Sequence, residues 1–312
     1  MTTAKSKSLA SLLKAWLKLV RIEHAFMSMA AVAIGVLLAG RQTYLAPGGF
    51  IYLPEWPSLP ALLPILAVPF LINIGAFALN DYWDIEADRK NKRMERPLVS
   101  GALSPSTAVW TAAAGLLFGS LYGMLISPEA GAIAIFFALF SIAYDRFLKD
   151  WPVAGNLFIA VSMAIAFLFG SVAIGIPIAL TSPAILLLCA GAACAGFGRE
   201  LVKTVQDMEG DKAARGSNSL PHVIGARKSL LLAALAFLLY AASIPLLVLS
   251  STSITWNVLS LGLLALSGLS YLALTIELLA KTPKENQLER IRKSTLYALG
   301  LALLAVALAA LI

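Results

Sequence analysis

Residues 151–198 read WPVAGNLFIAVSMAIAFLFGSVAIGIPIALTSPAILLLCAGAACAGFG and contain no Asp, Glu, Lys or Arg. A helix needs about 20 mostly apolar residues to cross roughly 30 Å of hydrocarbon. The stretch is too long for one such helix, and turn-forming residues at Gly175–Pro177 and Ser182–Pro183 divide it in two. It therefore predicts two consecutive transmembrane helices and, with them, an all-α membrane protein.

The remainder of the chain has the same character. It is 59% hydrophobic and 13% charged, with a mean hydropathy of +0.83, whereas soluble proteins carry about 25% charged residues. Seven further apolar runs bring the prediction to nine transmembrane helices in a single domain covering residues 1–312. These seven lie near residues 22–40, 61–79, 108–126 and 130–144, twice between Lys228 and Glu277, and near 294–312.

The positive charges test this count. With nine spans, Arg41 is the one residue among the 24 Lys and Arg that does not fall on the side of the N-terminus. Because Lys and Arg collect in cytoplasmic loops, the pattern predicts a multi-pass protein of the cell membrane with a cytoplasmic N-terminus. The net charge of +7 is then explained by topology, and we expect no nucleic-acid partner.

Several kinds of site lack the residues that they need. The two cysteines, Cys189 and Cys194, lie inside an apolar run, and His24 and His222 are the only histidines. These residues predict neither a disulfide framework nor a zinc or haem site. The sequence also has no P-loop, dinucleotide-binding or nucleophile-elbow motif.

The loop after the second span begins Asn80-Asp-Tyr-Trp-Asp84-Ile-Glu-Ala-Asp88. Asn80, Asp84 and Asp88 are four residues apart, so on a helix they share one face. Two carboxylates on one face repel each other unless a cation lies between them, and Mg²⁺ takes carboxylate and phosphate oxygens as ligands. The basic run that follows, which includes Arg93, is suited to binding a diphosphate.

The loop after the sixth span repeats this arrangement. Arg199, Lys203, Asp207 and Asp211 also follow one another at four-residue steps. Charges at the end of a span usually reach the interface or solvate a loop, and one acidic loop alone would be read that way. Two similar motifs on the same predicted side favour a pocket in which Asp84, Asp88, Asp207 and Asp211 hold two Mg²⁺ ions around one diphosphate.

The loop after the fourth span is shorter. Tyr144 and Lys149 in this loop are expected to reach the same pocket. An equally good interpretation is a positively charged membrane anchor beside an interfacial Trp151.

Together these motifs resemble those of the UbiA-type intramembrane prenyltransferase superfamily. The resemblance rests on Asn80-Asp-x-x-Asp84-x-x-x-Asp88, Arg96-Pro-Leu-Val-Ser-Gly101, Tyr144 to Asn156, and Asp207-x-x-x-Asp211. It implies a helical bundle around a central cavity, two Mg²⁺ ions, and transfer of a polyprenyl group to an acceptor.

Two segments bear on the acceptor. Gly198-Arg-Glu-Leu-Val-Lys203 with Asp207-Met-Glu-Gly-Asp211 is similar to the archaeal ether-lipid branch of the superfamily, the digeranylgeranylglyceryl phosphate synthases. That similarity implies geranylgeranyl diphosphate as donor and a lipid-like hydroxyl acceptor. Arg21-Ile-Glu-His24 instead resembles aromatic-acceptor members that use 4-hydroxybenzoate, and quinone- or chlorophyll-type acceptors also stay open.

The expected chemistry is ionisation of an allylic C–O bond. The four aspartates would hold the metal, while Asn80, Arg93, Tyr144, Lys149 and Lys203 would contact the diphosphate end of the donor. Neutralising the charge that grows on the leaving group promotes this step. The competing interpretation is a transporter, but transporter sites lie near the bilayer midplane, and these acidic residues lie at the ends of spans.

Overall fold

The computed structural model describes residues 8–40, 43–46, 49–52, 59–175, 182–250, 254–280 and 283–311. Within these ranges the chain forms twelve α-helices. They are α1 (Leu9–Leu19), α2 (Ile22–Gly40), α3 (Leu59–Trp83), α4 (Ile85–Lys90), α5 (Pro105–Ile126), α6 (Pro128–Arg146), α7 (Ala154–Ala173), α8 (Pro183–Arg215), α9 (Leu220–Ile224), α10 (Ala226–Ser250), α11 (Val258–Ala280) and α12 (Glu285–Leu311). A short 3-10 helix (Leu148–Asp150) follows α6.

The predicted all-α membrane architecture is confirmed. All of these helices except α1, α4 and α9 are long and apolar enough to cross a membrane, which gives nine spans in the described part of the chain. One feature was not predicted: β1 (Thr43–Ala46) and β2 (Gly49–Tyr52) pair as an antiparallel hairpin after α2. Arg41 and Pro177, on which parts of the topology prediction rest, lie outside the described residues.

Two spans extend more than four residues beyond a predicted end, and both extensions carry charged residues. Helix α12 begins at Glu285, nine residues before the predicted start at Ser294. Helix α8 continues without a break to Arg215, so the second acidic motif lies on the span itself. At 1.5 Å per residue, its 33 residues extend over about 50 Å, well beyond the roughly 30 Å of hydrocarbon.

Three of the spanning helices begin at a Ser-Pro pair. The hydroxyls of Ser104, Ser127 and Ser182 accept hydrogen bonds from backbone N–H groups three residues on, at 3.2, 3.0 and 3.2 Å. A serine cap satisfies an N–H group that the first turn leaves unpaired, and proline is favoured at the next position because it needs no such partner. These pairs therefore fix the start of α5, α6 and α8.

Helices α2 and α7 approach each other closely through glycines. A Cβ atom added at Gly35 would lie 2.1 Å from the Phe167 carbonyl oxygen, and one at Gly170 would lie 2.3 Å from the Val32 carbonyl oxygen. Small residues allow such backbone contact between membrane helices, where lipid removes most of the hydrophobic drive for association. The crossing positions the N-terminal end of α2 beside the rest of the bundle.

A cavity of about 610 Å³ lies inside the bundle, surrounded by α2, α3, α6, α7, α8 and α12, as the family resemblance implied. Val68, Ile72, Phe137, Phe158 and Phe167 form much of its apolar wall. Charged side chains enter from the end of α1 and the first turn of α2, the loop after α4, the end of α6, and the parts of α8 and α12 beside them. The cavity is therefore apolar at one end and charged at the other.

Candidate active site

The first acidic motif spans the junction between α3 and α4. The Asp84 N–H donates to the Asn80 carbonyl oxygen at 2.9 Å, and the Asp88 N–H donates to the Asp84 carbonyl oxygen at 2.7 Å. Helical hydrogen bonding thus continues through the junction, although Asp84 itself has left helical geometry. The backbone therefore keeps the four-residue spacing of the motif on consecutive turns.

The second acidic motif lies on α8 and faces α4 at close range. Asn91, at the C-terminal end of α4, donates its amide hydrogen to the Asp211 carboxylate at 3.2 Å. The two helices approach this closely because Gly210 has no side chain: a Cβ atom there would lie 1.7 Å from the Asn91 Oδ1. A glycine between the motif's two carboxylates therefore sets the distance between the motifs.

Arg93 connects the two motifs directly. Its Nη1 lies 3.1 Å from the Asp88 carboxylate, and its Nη2 pairs with the Asp207 carboxylate. Burial opposes the charge of this guanidinium, but Asp207 and Asp88 together raise the pKa of Arg93. Burial also raises the pKa of Asp88, against the opposing effect of Arg96 and Arg93. The guanidinium of Arg93 thus lies between one carboxylate of each motif.

The third loop joins the same cluster. Lys149 pairs with the Asp84 carboxylate and lies 3.9 Å from the Asp145 carboxylate. Asn80 donates to Asp145 at 2.7 Å. Tyr144 lines the cavity, and its ring packs on Phe158 with centroids 4.6 Å apart. The structure thus brings Tyr144 and Lys149 to the first motif, although it does not test what these residues bind.

Lys203 also lies at the charged end. It lines the cavity, and its ammonium group is 3.0 Å from the Glu200 carboxylate. Among the predicted site residues, Asn80, Tyr144 and Lys203 face the cavity, whereas the four predicted metal-binding aspartates, Arg93 and Lys149 lie just beyond its lining. The predicted residues therefore form one connected cluster at the mouth of the cavity.

Two buried carboxylates of this cluster, Asp81 and Asp145, were not among the predicted site residues. Asp81, only 2% exposed, accepts from Arg21 at 2.8 Å and from Arg96 at 2.6 Å. Burial, followed by the like charge of Arg21, lowers the pKa of Arg96. Asp145, the acceptor of the Asn80 amide, is also buried. Each is adjacent in sequence to a residue that was predicted, but the four-residue spacing passed over it.

The oxygen atoms of the cluster fit a hard divalent cation. Carboxylates from both motifs and the Asn80 amide oxygen are the ligand types that Mg²⁺ takes. Among the described residues, no three His, Cys, Asp or Glu side chains are grouped closely enough to hold a metal by themselves. This agrees with the habit of Mg²⁺, which usually binds through one or two carboxylates and completes its shell with water and substrate phosphate.

Comparison with known proteins gives a consistent result. Residues 42–288 match the UbiA prenyltransferase family. A digeranylgeranylglyceryl phosphate synthase of Methanosarcina mazei is 35% identical over 272 residues, which cover 86% of this chain and 90% of the relative. A solved structure from work on digeranylgeranylglyceryl phosphate synthase in membranes is 28% identical, with a TM-score of 0.67 over 96% of this chain and 98% of that one. A UbiA homologue from Archaeoglobus fulgidus, solved with DMAPP and Mg²⁺, shares the fold at 17% identity, with a TM-score of 0.59 over 94% of this chain and 99% of that one.

Proposed function

The chain belongs to the UbiA prenyltransferase family, and on that premise we propose that it transfers a geranylgeranyl group from geranylgeranyl diphosphate to geranylgeranylglyceryl phosphate. The choice of acceptor follows the Methanosarcina mazei relative, of which this chain covers 90%. The reaction joins the donor's C1 carbon to the acceptor's free hydroxyl oxygen and releases diphosphate and a proton.

One observation carries the proposal. Two acidic motifs from α3–α4 and α8 lie against each other at the charged end of an otherwise apolar cavity. An allylic diphosphate has the same division, with a highly charged head and a hydrocarbon tail. The head would lie at the motifs, and the tail would lie among the apolar side chains of the cavity.

We propose Asp84, Asp88, Asp207 and Asp211 as the residues that hold Mg²⁺. The Archaeoglobus fulgidus homologue was solved with this ion and DMAPP, and the oxygen donors of this chain fit it. When bound, the ion neutralises charge that develops on the departing diphosphate. The proposed ligands are all carboxylates, so a softer metal would be bound less well.

Lysine and arginine side chains would neutralise the diphosphate together with the metal ion. We propose that Arg93, Lys149 and Lys203, which pair with carboxylates in and beside the acidic motifs, contact diphosphate oxygens as the C–O bond breaks. Such preorganised charge is the main source of rate in reactions of this kind. Tyr144 and Phe158 present aromatic faces to the cavity wall, which favours a carbocation at the donor carbon and keeps water from it.

The protein is a multi-pass membrane protein, and we propose that the acidic motifs face the cytoplasm of the cell membrane. The support is the distribution of Lys and Arg, which the positive-inside rule assigns to the cytoplasmic side. That side is also where a water-soluble, highly charged diphosphate head would be delivered. A cytoplasmic N-terminus follows from the nine spans.

The test is a transfer assay on the purified protein in detergent. Geranylgeranyl diphosphate is supplied with either geranylgeranylglyceryl phosphate or 4-hydroxybenzoate, with and without Mg²⁺. We expect Mg²⁺-dependent diphosphate release and product with the first acceptor. Product with 4-hydroxybenzoate alone would assign the protein to the aromatic-acceptor branch. A separate experiment with the protein in liposomes tests the transporter: flux of the lipid across the membrane without diphosphate release would identify one.

Matched variants test the metal site. Asp84→Asn and Asp207→Asn are expected to reduce transfer by at least about 10³-fold, because each removes a carboxylate proposed to hold the ion. Glu86→Gln and Glu209→Gln remove exposed carboxylates two residues away from them and should leave the rate within about twofold. Substantial transfer by either Asp variant would overturn the metal assignment.

A further inference from the structure

The charged end of the cavity holds more positive charge than the acidic motifs account for. Seven Lys and Arg side chains line the cavity, against four carboxylates. Most of these cations have a partner: Arg21 and Arg96 share Asp81, and Lys203 pairs with Glu200. The excess positive charge therefore lies on the cations that have no carboxylate partner.

Lys293 pairs with Glu289 and Lys18 is exposed to solvent, which leaves Arg199 and Arg292. The Arg199 Nε atom is buried and has no hydrogen-bond partner in the described part of the chain. Arg292, on α12, makes no side-chain ion pair or hydrogen bond with any described residue; the Asp207 carboxylate, which is paired with Arg93, acts on its charge only from a distance. The nearby Glu200 carboxylate is already engaged by Lys203 at 3.0 Å. A buried guanidinium without a partner is costly in a membrane bundle, which indicates that a ligand supplies its counter-charge.

These two arginines lie close together and face the cavity. Helix α12 packs on both α8 and α2, and both arginines line the cavity wall. His24, on α2, lies on the same wall, and its Nδ1 is 3.5 Å from the Glu23 carboxylate. Three helices thus converge on a point that offers hydrogen-bond donors and positive charge.

The position of this point relative to the acidic motifs is set by α8. Arg199 precedes Asp207 by eight residues on the same helical face, so the two lie about 12 Å apart along the helix axis. Two phosphate groups at that separation repel each other only weakly. The space between them accommodates a reacting carbon and hydroxyl oxygen, which must come within about 3–3.5 Å.

We propose that Arg199 and Arg292, with His24 beside them, form a second anion site, which binds the phosphate monoester of the acceptor. The proposal rests on the proposed function, because it names the part of the acceptor that these residues recognise. Arginine is suited to this task, since its planar fork matches phosphate oxygens and it stays charged when buried. The site orients the acceptor hydroxyl toward the donor carbon and selects phosphorylated acceptors.

The first test compares two acceptors that differ only in phosphate, geranylgeranylglyceryl phosphate and geranylgeranylglycerol. The wild type is expected to prefer the phosphorylated acceptor by about 100-fold or more in kcat/KM. Arg199→Met and Arg292→Met should each reduce that preference at least about tenfold, because each removes a charge-assisted hydrogen bond. The KM for geranylgeranyl diphosphate should change less than about twofold. Arg290→Met, at an exposed arginine of α12 that pairs with Glu277, is the matched control and should keep the preference.

A binding measurement decides the question without turnover. In EDTA, glycerol 1-phosphate is expected to raise the melting temperature of the wild type, and glycerol at the same concentration is not. Arg292→Met should abolish the rise, and Asp84→Asn, at a proposed metal ligand of the first acidic motif, should preserve it, which separates this site from the diphosphate site. If Arg199→Met does not fold, Arg292→Met carries both tests.

The outcomes separate the two proposals. An unchanged acceptor preference in both arginine variants, or an equal thermal shift in wild type and Arg292→Met, would overturn the anion site while leaving the proposed function intact. Failure of the wild type to use either acceptor would overturn the proposed function, and the thermal shift would still report on the site.

Discussion

Gly210→Ala tests whether the spacing of the two acidic motifs governs the reaction. The added Cβ atom would lie 1.7 Å from the Asn91 Oδ1, whereas real Cβ atoms essentially never approach closer than 3.0 Å. The gap must therefore open by about 1.3 Å, either by rotation of Asn91 away from Asp211 or by movement of α4. A displacement of about 1 Å near the reacting groups can cost about 100-fold in rate, so we expect kcat to fall by about 10- to 100-fold.

The fold itself should not suffer. Gly210 lies within α8, where alanine is favoured over glycine by about 0.5–1 kcal/mol. We therefore expect a melting temperature equal to that of the wild type or higher. Gly300→Ala on α12, where an added Cβ meets nothing within 4 Å, is the control: it has the same helix-propensity gain and should leave kcat unchanged.

Removal of the opposing side chain provides the decisive comparison. Asn91→Ala deletes the group that collides and loses one hydrogen bond to Asp211, worth about 1 kcal/mol, or about fivefold in rate. The double variant Gly210→Ala/Asn91→Ala should then be about as active as Asn91→Ala alone. The assay is Mg²⁺-dependent diphosphate release at saturating donor and acceptor. Wild-type activity in Gly210→Ala, or a double variant as slow as the product of the single effects, would refute the steric argument.

Three further outcomes are expected. Gly35→Ala places a Cβ atom 2.1 Å from the Phe167 carbonyl oxygen and should lower the free energy of unfolding by about 1–3 kcal/mol. The measurement is a denaturant titration in detergent. Gly262→Ala, where an added Cβ has open space, is the control and should not lower it. Lys149→Met leaves Asp84 without its ion pair and should reduce kcat/KM for the donor by at least about tenfold, whereas an unchanged value would remove Lys149 from the diphosphate site. Chelation by EDTA should stop transfer and Mg²⁺ should restore it, with Ca²⁺ less effective because it favours larger coordination shells; full activity in EDTA would contradict a metal-dependent reaction.

The spans were predictable because their signal is local. Hydropathy along the sequence determines where a helix can cross hydrocarbon, and each predicted span has its helix in the structure. The relation between Asn80, Asp84 and Asp88 was predictable for a similar reason, since a four-residue step brings side chains to one face of any helix. The break at Asp84 between α3 and α4 was not, because the sequence there has no glycine or proline to mark it.

The partners of these residues could not be read from the sequence. Arg21 and Asp81 are separated by 60 residues, and Asn80 and Asp145 by 65. Such contacts depend on how the helices pack, which hydropathy does not specify. Arg93 was predicted to contact diphosphate, but its bridge between Asp88 and Asp207 became visible only when α4 and α8 were placed together. The roles of these residues in catalysis remain predictions for the variants above.

The unbroken length of α8 has a consequence for how the protein can change. Each helical residue turns the chain by 100°, so inserting one residue between Lys203 and Asp207 would rotate Asp207 and Asp211 away from the face that holds Arg199. Loops elsewhere in the chain can lengthen with little effect on the distance between Arg199 and Asp207. Helix α8 thus fixes the distance between Arg199 and the second acidic motif. Changes in substrate preference are more readily made in the cavity walls than along this helix.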